Sequence, residues 1–221
     1  MKKIGFVFTL IAFLAFVNQA AVITVNNFSF EQPGDGKIKG WDLADGAYYV
    51  TGGAAAEVPG WESDGTVADS GVESDWPGHT EGLWTGFMMS GDPSIYNLTE
   101  HVIAAGEEFT LQVDARDNWT DGSADFKISL YYDVAGVRNP LASTVVTLDA
   151  ADTWATYSLT IAADTVAGSI GHPIGIELDN VSATGSSWEG FDNVRLDVVP
   201  EPMTLSLLAL GAVALRRARK V

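Results

Sequence analysis

The chain has 221 residues, 47% of them hydrophobic and 19% charged, with a formal net charge of -17. That length suits one good-sized domain or two small ones. The absence of cysteine excludes a disulfide scaffold, a thiolate zinc site and a cysteine nucleophile, and the acidic balance excludes nucleic-acid binding through a basic face.

The first element is an address. Met1-Lys2-Lys3, the apolar run from Ile4 to Val17 and the small residues Ala20-Ala21 form a cationic start, a short greasy stretch and a cleavage site. This is the layout of a secretory signal peptide over 1–20, helical but too short for a comfortable membrane span. An uncleaved N-terminal anchor is the alternative.

From residue 21 onward the recurring pattern is period-two alternation bounded by Gly, Asp, Asn and Pro, with no sustained 3.6-residue apolar stripe. The region 33–105 is rich in Gly and Asp, which predicts long loops with strands near 47–51, 82–89 and 94–98. Cleaner alternation follows at 109–115, 126–132, 145–148, 154–161, 174–178 and 191–196, separated by turn clusters at 117–123, 135–140, 149–152 and 183–187. Thr, Val, Tyr and Phe suit a pleated, half-buried surface. Many short strands at this spacing predict an all-β fold, an antiparallel jelly-roll β-sandwich over 21–198, with Trp61 and Trp154 at inward positions.

The C-terminus, 199–221, reads as a second address. Pro200-Glu201-Pro202 precedes an apolar run over 203–215 and the basic stretch 216–220, including Arg216 and Arg217. Thirteen helical residues rise only about 20 Å, short of a hydrocarbon core of roughly 30 Å. The basic end would stay cytoplasmic and leave the domain outside. Without both tails the chain keeps 28 acidic and 6 basic residues, a surface that repels anionic polymers and attracts divalent cations. Solubility alone accounts for such a surface equally well.

Two resemblances follow from these residues. The tail resembles the PEP-CTERM sorting signal of Gram-negative bacteria, through Pro200-Glu201-Pro202, the apolar 203–215 and the basic 216–220. That resemblance implies a transient exosortase partner, membrane contact before processing, and delivery to the cell envelope or extracellular matrix. A plain C-terminal anchor is the alternative. The domain resembles the galactose-binding-like jelly roll of carbohydrate-binding modules, through Asn27-Phe28-Ser29-Phe30-Glu31 near its start and Asp192-Asn193-Val194 near its end. This implies a structural Ca²⁺ held by Glu31 and Asp192, and a polysaccharide ligand. Two neighbouring carboxylates repel unless a cation or proton lies between them. A solvated Glu31 and a turn-capping Asp192 form the alternative.

For the sugar, a ring needs aromatic faces beside polar groups, which selects Trp84, Arg116, Asp117 and Trp119. The acids of 117–125 recur at every fourth position but lack an EF-hand's spacing and closing Glu, so a solvated hairpin loop is expected there. His79, His101 and His172 have no metal-ligand spacing, and no Gly-x-Ser-x-Gly elbow or phosphate-binding glycine loop occurs. The expected function is a non-catalytic exported surface or matrix protein that binds polysaccharide. A purely structural adhesive protein and a secreted hydrolase are the alternatives.

Overall fold

The computed structural model describes residues 20–32, 47–48, 58–67, 69–74, 78–119, 124–148, 153–183 and 187–200. The signal peptide over 1–20, apart from Ala20, and the sorting segment after Pro200 lie outside the described residues. So do Glu201, Pro202, Arg216 and Arg217.

Twelve strands are described: β1 (Ala21–Ile23), β2 (Ala47–Tyr48), β3 (Glu62–Ser63), β4 (Gly71–Glu73), β5 (Thr85–Met89), β6 (Ile95–Val102), β7 (Glu107–Trp119), β8 (Ala124–Val134), β9 (Val137–Leu148), β10 (Ala155–Ala162), β11 (Pro173–Asn180) and β12 (Trp188–Pro200). They pair antiparallel in two sheets. One has the order β10-β7-β12-β5-β4-β2, with β1 also on β12; the other has the order β3-β6-β11-β8-β9. Apart from the β8–β9 hairpin, neighbouring strands of the five-stranded sheet are not consecutive in sequence, so the chain crosses repeatedly between layers. The result is the expected antiparallel jelly-roll sandwich.

Alternation fixes what each face sees. Ile174, Ile176 and Leu178 of β11 point between the sheets, as do Phe126, Ile128 and Leu130 of β8. Phe109, Leu111, Val113 and Ala115 of β7 meet them from the seven-stranded sheet. An aromatic chain runs through this slab: Trp61 stacks on Phe30 at 5.0 Å, Phe30 meets Phe191 edge-on at 5.1 Å, and Phe191 stacks on Phe126 at 5.7 Å. Stacked and edge-on pairs at these spacings add to the area term.

Three sequence expectations need correcting. The turn read at 135–140 is only Ala135-Gly136, both with positive φ, and β9 starts at Val137 and continues through Pro140. A two-residue turn with both φ positive matches the twist of a hairpin, so pairing extends almost to the tip. Asp117 is not in a solvated loop: β7 runs on to Trp119, and Asp117 is fully buried opposite Glu189. Trp154 precedes β10 rather than entering the slab, and its ring covers the Arg116 guanidinium at 5.0 Å.

Candidate active-site cleft

The residues proposed for calcium come together, but on a loop rather than on each other. Glu31 Oε1 accepts the backbone N–H groups of Leu83 and Trp84, both at 2.8 Å. Asp192 Oδ2 accepts from the Thr80 N–H at 2.8 Å, the Thr80 hydroxyl at 3.1 Å and the Glu81 N–H at 2.8 Å; Oδ1 accepts from the Asn193 N–H at 2.7 Å. The two carboxylates thus clamp the loop 80–84 from its two ends. Gly82 is required there, because its φ of +63° is left-handed and a Cβ would collide with the Glu31 carboxylate. Asn193, also left-handed at φ 51°, sits in the bulge where β12 shifts register on β7. Burial pushes Asp192 up to about 6, against the opposing pull of its backbone donors. A calcium ion here would have to share carboxylates whose oxygens already take these donors.

The residues proposed for sugar binding do not form one surface. Trp84 is only 3% exposed and belongs to the core, so it offers no face to a ring. Its neighbours Gly82 and Gly86 serve the clamp and the strand pairing instead. Arg116 and Asp117 are also buried, on opposite faces of β7. Trp119 is the one of the four that meets solvent, at 57% exposure.

An open cleft lies elsewhere, on the outer face of the five-stranded sheet. Its volume is about 470 Å³, and Glu62, Asp64, Tyr96, Tyr131, Asp133 and Arg138 line it. The size lies in the range of small-molecule sites. Register explains the grouping. Glu62 pairs with Tyr96, Tyr96 with Glu177, Glu177 with Ser129, and Asp133 with Arg138, so these side chains leave the sheet on one side. Tyr131 follows a bulge between β8 and β9, and its ring lies flat across Gly175 of β11, where a Cβ would be 2.5 Å from Cε1 and from the hydroxyl. Only glycine allows that ring to form the floor.

The cleft is wired by short polar contacts. The Tyr96 hydroxyl donates to Glu62 Oε2 at 2.9 Å. The Arg138 guanidinium lies 3.8 Å from the centre of the Tyr96 ring and 5.8 Å from that of Tyr131, and pairs with Asp64. Ser94 donates to the other Asp64 oxygen at 3.0 Å. Farther along β11, Lys127 bridges Glu177 at 3.6 Å and Asp179 at 3.8 Å. Burial raises Asp179, against Lys127, with Glu177 and Asp64 adding to the rise. Burial likewise raises both tyrosines, so they stay neutral hydrogen-bond donors near pH 7.

Sequence reasoning missed this cleft because it searched for tryptophan in glycine-rich loops. The available signal was parity: Tyr96 and Leu98 alternate with buried Ile95 and Asn97, and Tyr131 and Asp133 share the opposite parity to Tyr132. Arg138 was hidden by reading its strand as a turn. A second buried group also went unnoticed. Glu189 of β12 is fully buried, and neither carboxylate oxygen has a hydrogen bond among the described residues. Burial first, then Asp179, Asp117 and Asp125, raises it well above the ordinary range, which keeps it uncharged.

Fold and cleft together define a jelly-roll domain with an open cleft on the outer face of one sheet. The family model described as HpiC1-like, HpiC1 cyclase, matches residues 21–197, and the chain belongs to that family. Among solved structures it is similar to a cyclase from Fischerella sp. TAU, at 18% identity and TM-score 0.62 over 83% of this chain and 99% of the other. It is also similar to the Stig cyclase Fisc from the same organism, in complex with (3Z)-3-(1-methyl-2-pyrrolidinylidene)-3H-indole, at 18% identity and TM-score 0.60, covering 83% and 100%. A further similarity is to the CBM22-1 xylan-binding domain of Paenibacillus barcinonensis Xyn10C, at 12% identity and TM-score 0.48, covering 74% and 98%. No curated protein matches the chain. Family membership overturns the expected non-catalytic role. The jelly roll was read correctly, but motifs shared with carbohydrate-binding modules report the scaffold and not the chemistry set on it.

Proposed function

We propose that the protein is an enzyme of the cyclase type, acting on a small aromatic substrate in the outer cleft. The observation that carries this reading is the HpiC1-like match across 21–197, which spans nearly every described strand. A cyclase must hold a flexible molecule curled, move a proton, and steady the positive charge that ring closure develops. The cleft and the sheet face beside it hold residues suited to each task. Tyr96 supplies a face for a flat ring and for a cation, above a floor formed by the buried Tyr131. Glu62 fixes the Tyr96 hydroxyl through its 2.9 Å bond. Asp179, on the same sheet face but outside the cleft's lining, is raised by burial, with Glu177 and Asp64 adding to the rise, which makes it the candidate proton carrier beside the cleft. Indole-bearing ligands occupy the related Fischerella structures, which makes 3-substituted indoles the first substrate class to assay.

Turnover of an indole panel tests the proposal. Asp179→Asn should lower kcat by a factor on the order of 10² or more with KM little changed, whereas Tyr131→Leu should raise KM. Full activity in both variants would remove the cleft from the mechanism. Export by the N-terminal signal, sorting through Pro200-Glu201-Pro202 by an exosortase, and polysaccharide contact in the matrix belong to the same proposal as its cellular setting. Secretion of a tail-deleted chain to the same location as the intact one would remove the sorting role.

A further inference from the structure

The outer cleft already contains a cation. Arg138 rises from the second position of the β8–β9 hairpin strand and lays its guanidinium over Tyr96 at 3.8 Å, with Tyr131 at 5.8 Å and Asp64 as its counter-ion. Two aromatic faces and a carboxylate around one planar, delocalised charge make a cage for that kind of charge. The remaining charged residues lining the cleft, Glu62 and Asp133, are both acidic. The Tyr96 face covered by Arg138 is also the face on which a flat ligand would stack, so the two cannot occupy it together. An anionic ligand could pair with Arg138, but it would do so among three carboxylates on a chain of net charge -17.

We infer that the cleft selects a flat, delocalised cation, and that Arg138 is its intramolecular stand-in, displaced when such a ligand takes over Tyr96, Tyr131 and Asp64. The inference rests on the cleft being the substrate site and adds the charge state of what enters. Substrates would then carry an amidinium, iminium or protonated aromatic amine, or acquire that charge in the reaction. Displacing Arg138 needs only side-chain rotation, because the hairpin tip carries the residue to the cleft edge and its side chain is 24% exposed.

Phenylguanidinium and its neutral isostere phenylurea separate charge from shape. Calorimetric titration of the purified protein should give binding of phenylguanidinium that tightens about tenfold in Arg138→Ala, the scale of one cation–aromatic contact set. Phenylurea should show no such preference. Asp64→Asn added to Arg138→Ala should abolish the gain. Arg138→Gln, which retains the stem over Tyr96, provides a second variant should the alanine chain fold poorly, and it should show the same direction. Equal affinity of phenylguanidinium for the wild-type and Arg138 variants would overturn the inference, as would equal gains for phenylurea. A gain for phenylguanidinium combined with unaltered turnover in cleft variants would keep the cage and refute the cleft as the site of cyclisation, so the two readings fail separately.

Discussion

Gly175→Ala puts the relation between fold and cleft to a quantitative test. Gly175 sits mid-strand in β11 between Tyr131 of β8 and Leu98 of β6. A Cβ there would meet Tyr131 at 2.5 Å from both Cε1 and the hydroxyl, far inside contact. Overpacking of this kind costs about 1–3 kcal/mol. Alanine returns roughly 0.4–1 kcal/mol by restricting the unfolded chain, so a net loss of about 1–2 kcal/mol remains. For a domain of this size that is a fall in Tm of roughly 2–8 °C. The ring must also lift into the cleft, so affinity for a flat ligand should fall with stability. A thermal-shift series on Gly175→Ala, Tyr131→Ala and the double variant isolates the contact. The double variant should be more stable than the two single losses predict together, with a coupling of about 1 kcal/mol or more. Strict additivity, or a Gly175→Ala protein melting at or above the wild-type temperature, would show that the ring does not rest on this glycine.

Other outcomes follow from the same structure. Trp84→Ala should cost about 3–5 kcal/mol as a core deletion, whereas Trp119→Ala should change stability by no more than about 0.5 kcal/mol; denaturant melts compare them directly. The folded-state values of Asp192, at about 6, and of Glu189 are raised above their unfolded values. The native state therefore binds more protons, and these groups contribute stability that is complete below the unfolded carboxylate range and lost as pH rises through the folded values. Tm should rise as pH is lowered from 7 to 5, and Glu189→Gln should flatten the loss seen toward alkaline pH; parallel pH profiles in the variant and wild type would contradict the assignment. Calcium between Glu31 and Asp192 is proposed as a reinforcement of the 80–84 loop, so a chelator should lower Tm and added calcium restore it. An unchanged Tm with both would leave the amide clamp alone in that role.

The fold was legible in the sequence because a sandwich depends on alternation, which survives in a single chain. The strands at 109–115, 126–132, 174–178 and 191–196 all appear inside longer observed strands. The boundaries failed where backbone pairing overrode composition. Ala135-Gly136-Val137-Arg138-Asn139-Pro140 contains turn-forming residues, yet β9 pairs with β8 from Val137 and passes through Pro140. Asp117 reads as a loop residue but is buried in strand. The cleft was less legible than the core, since its members come from four strands and one loop and meet only through register. Glu62 reaches Tyr96, and Arg138 reaches Asp64, across 34 and 74 positions of sequence. Alternation could have marked Tyr96 and Tyr131 as outward-facing. It could not have shown that Gly175 leaves room for one ring, or that a hairpin two strands away delivers an arginine onto the other.

Amide-resolved NMR of the protein during titration with 4-(1H-indol-3-yl)butan-2-one, the compound bound in a related Fischerella cyclase, tests the cleft most directly. Shifts concentrated at Glu62, Tyr96, Tyr131, Arg138 and Asp179, and absent from Tyr131→Leu, are the expected result. Shifts confined to the sandwich end near Trp119, Asp117 and Glu189, or no saturable shifts at all, would contradict it.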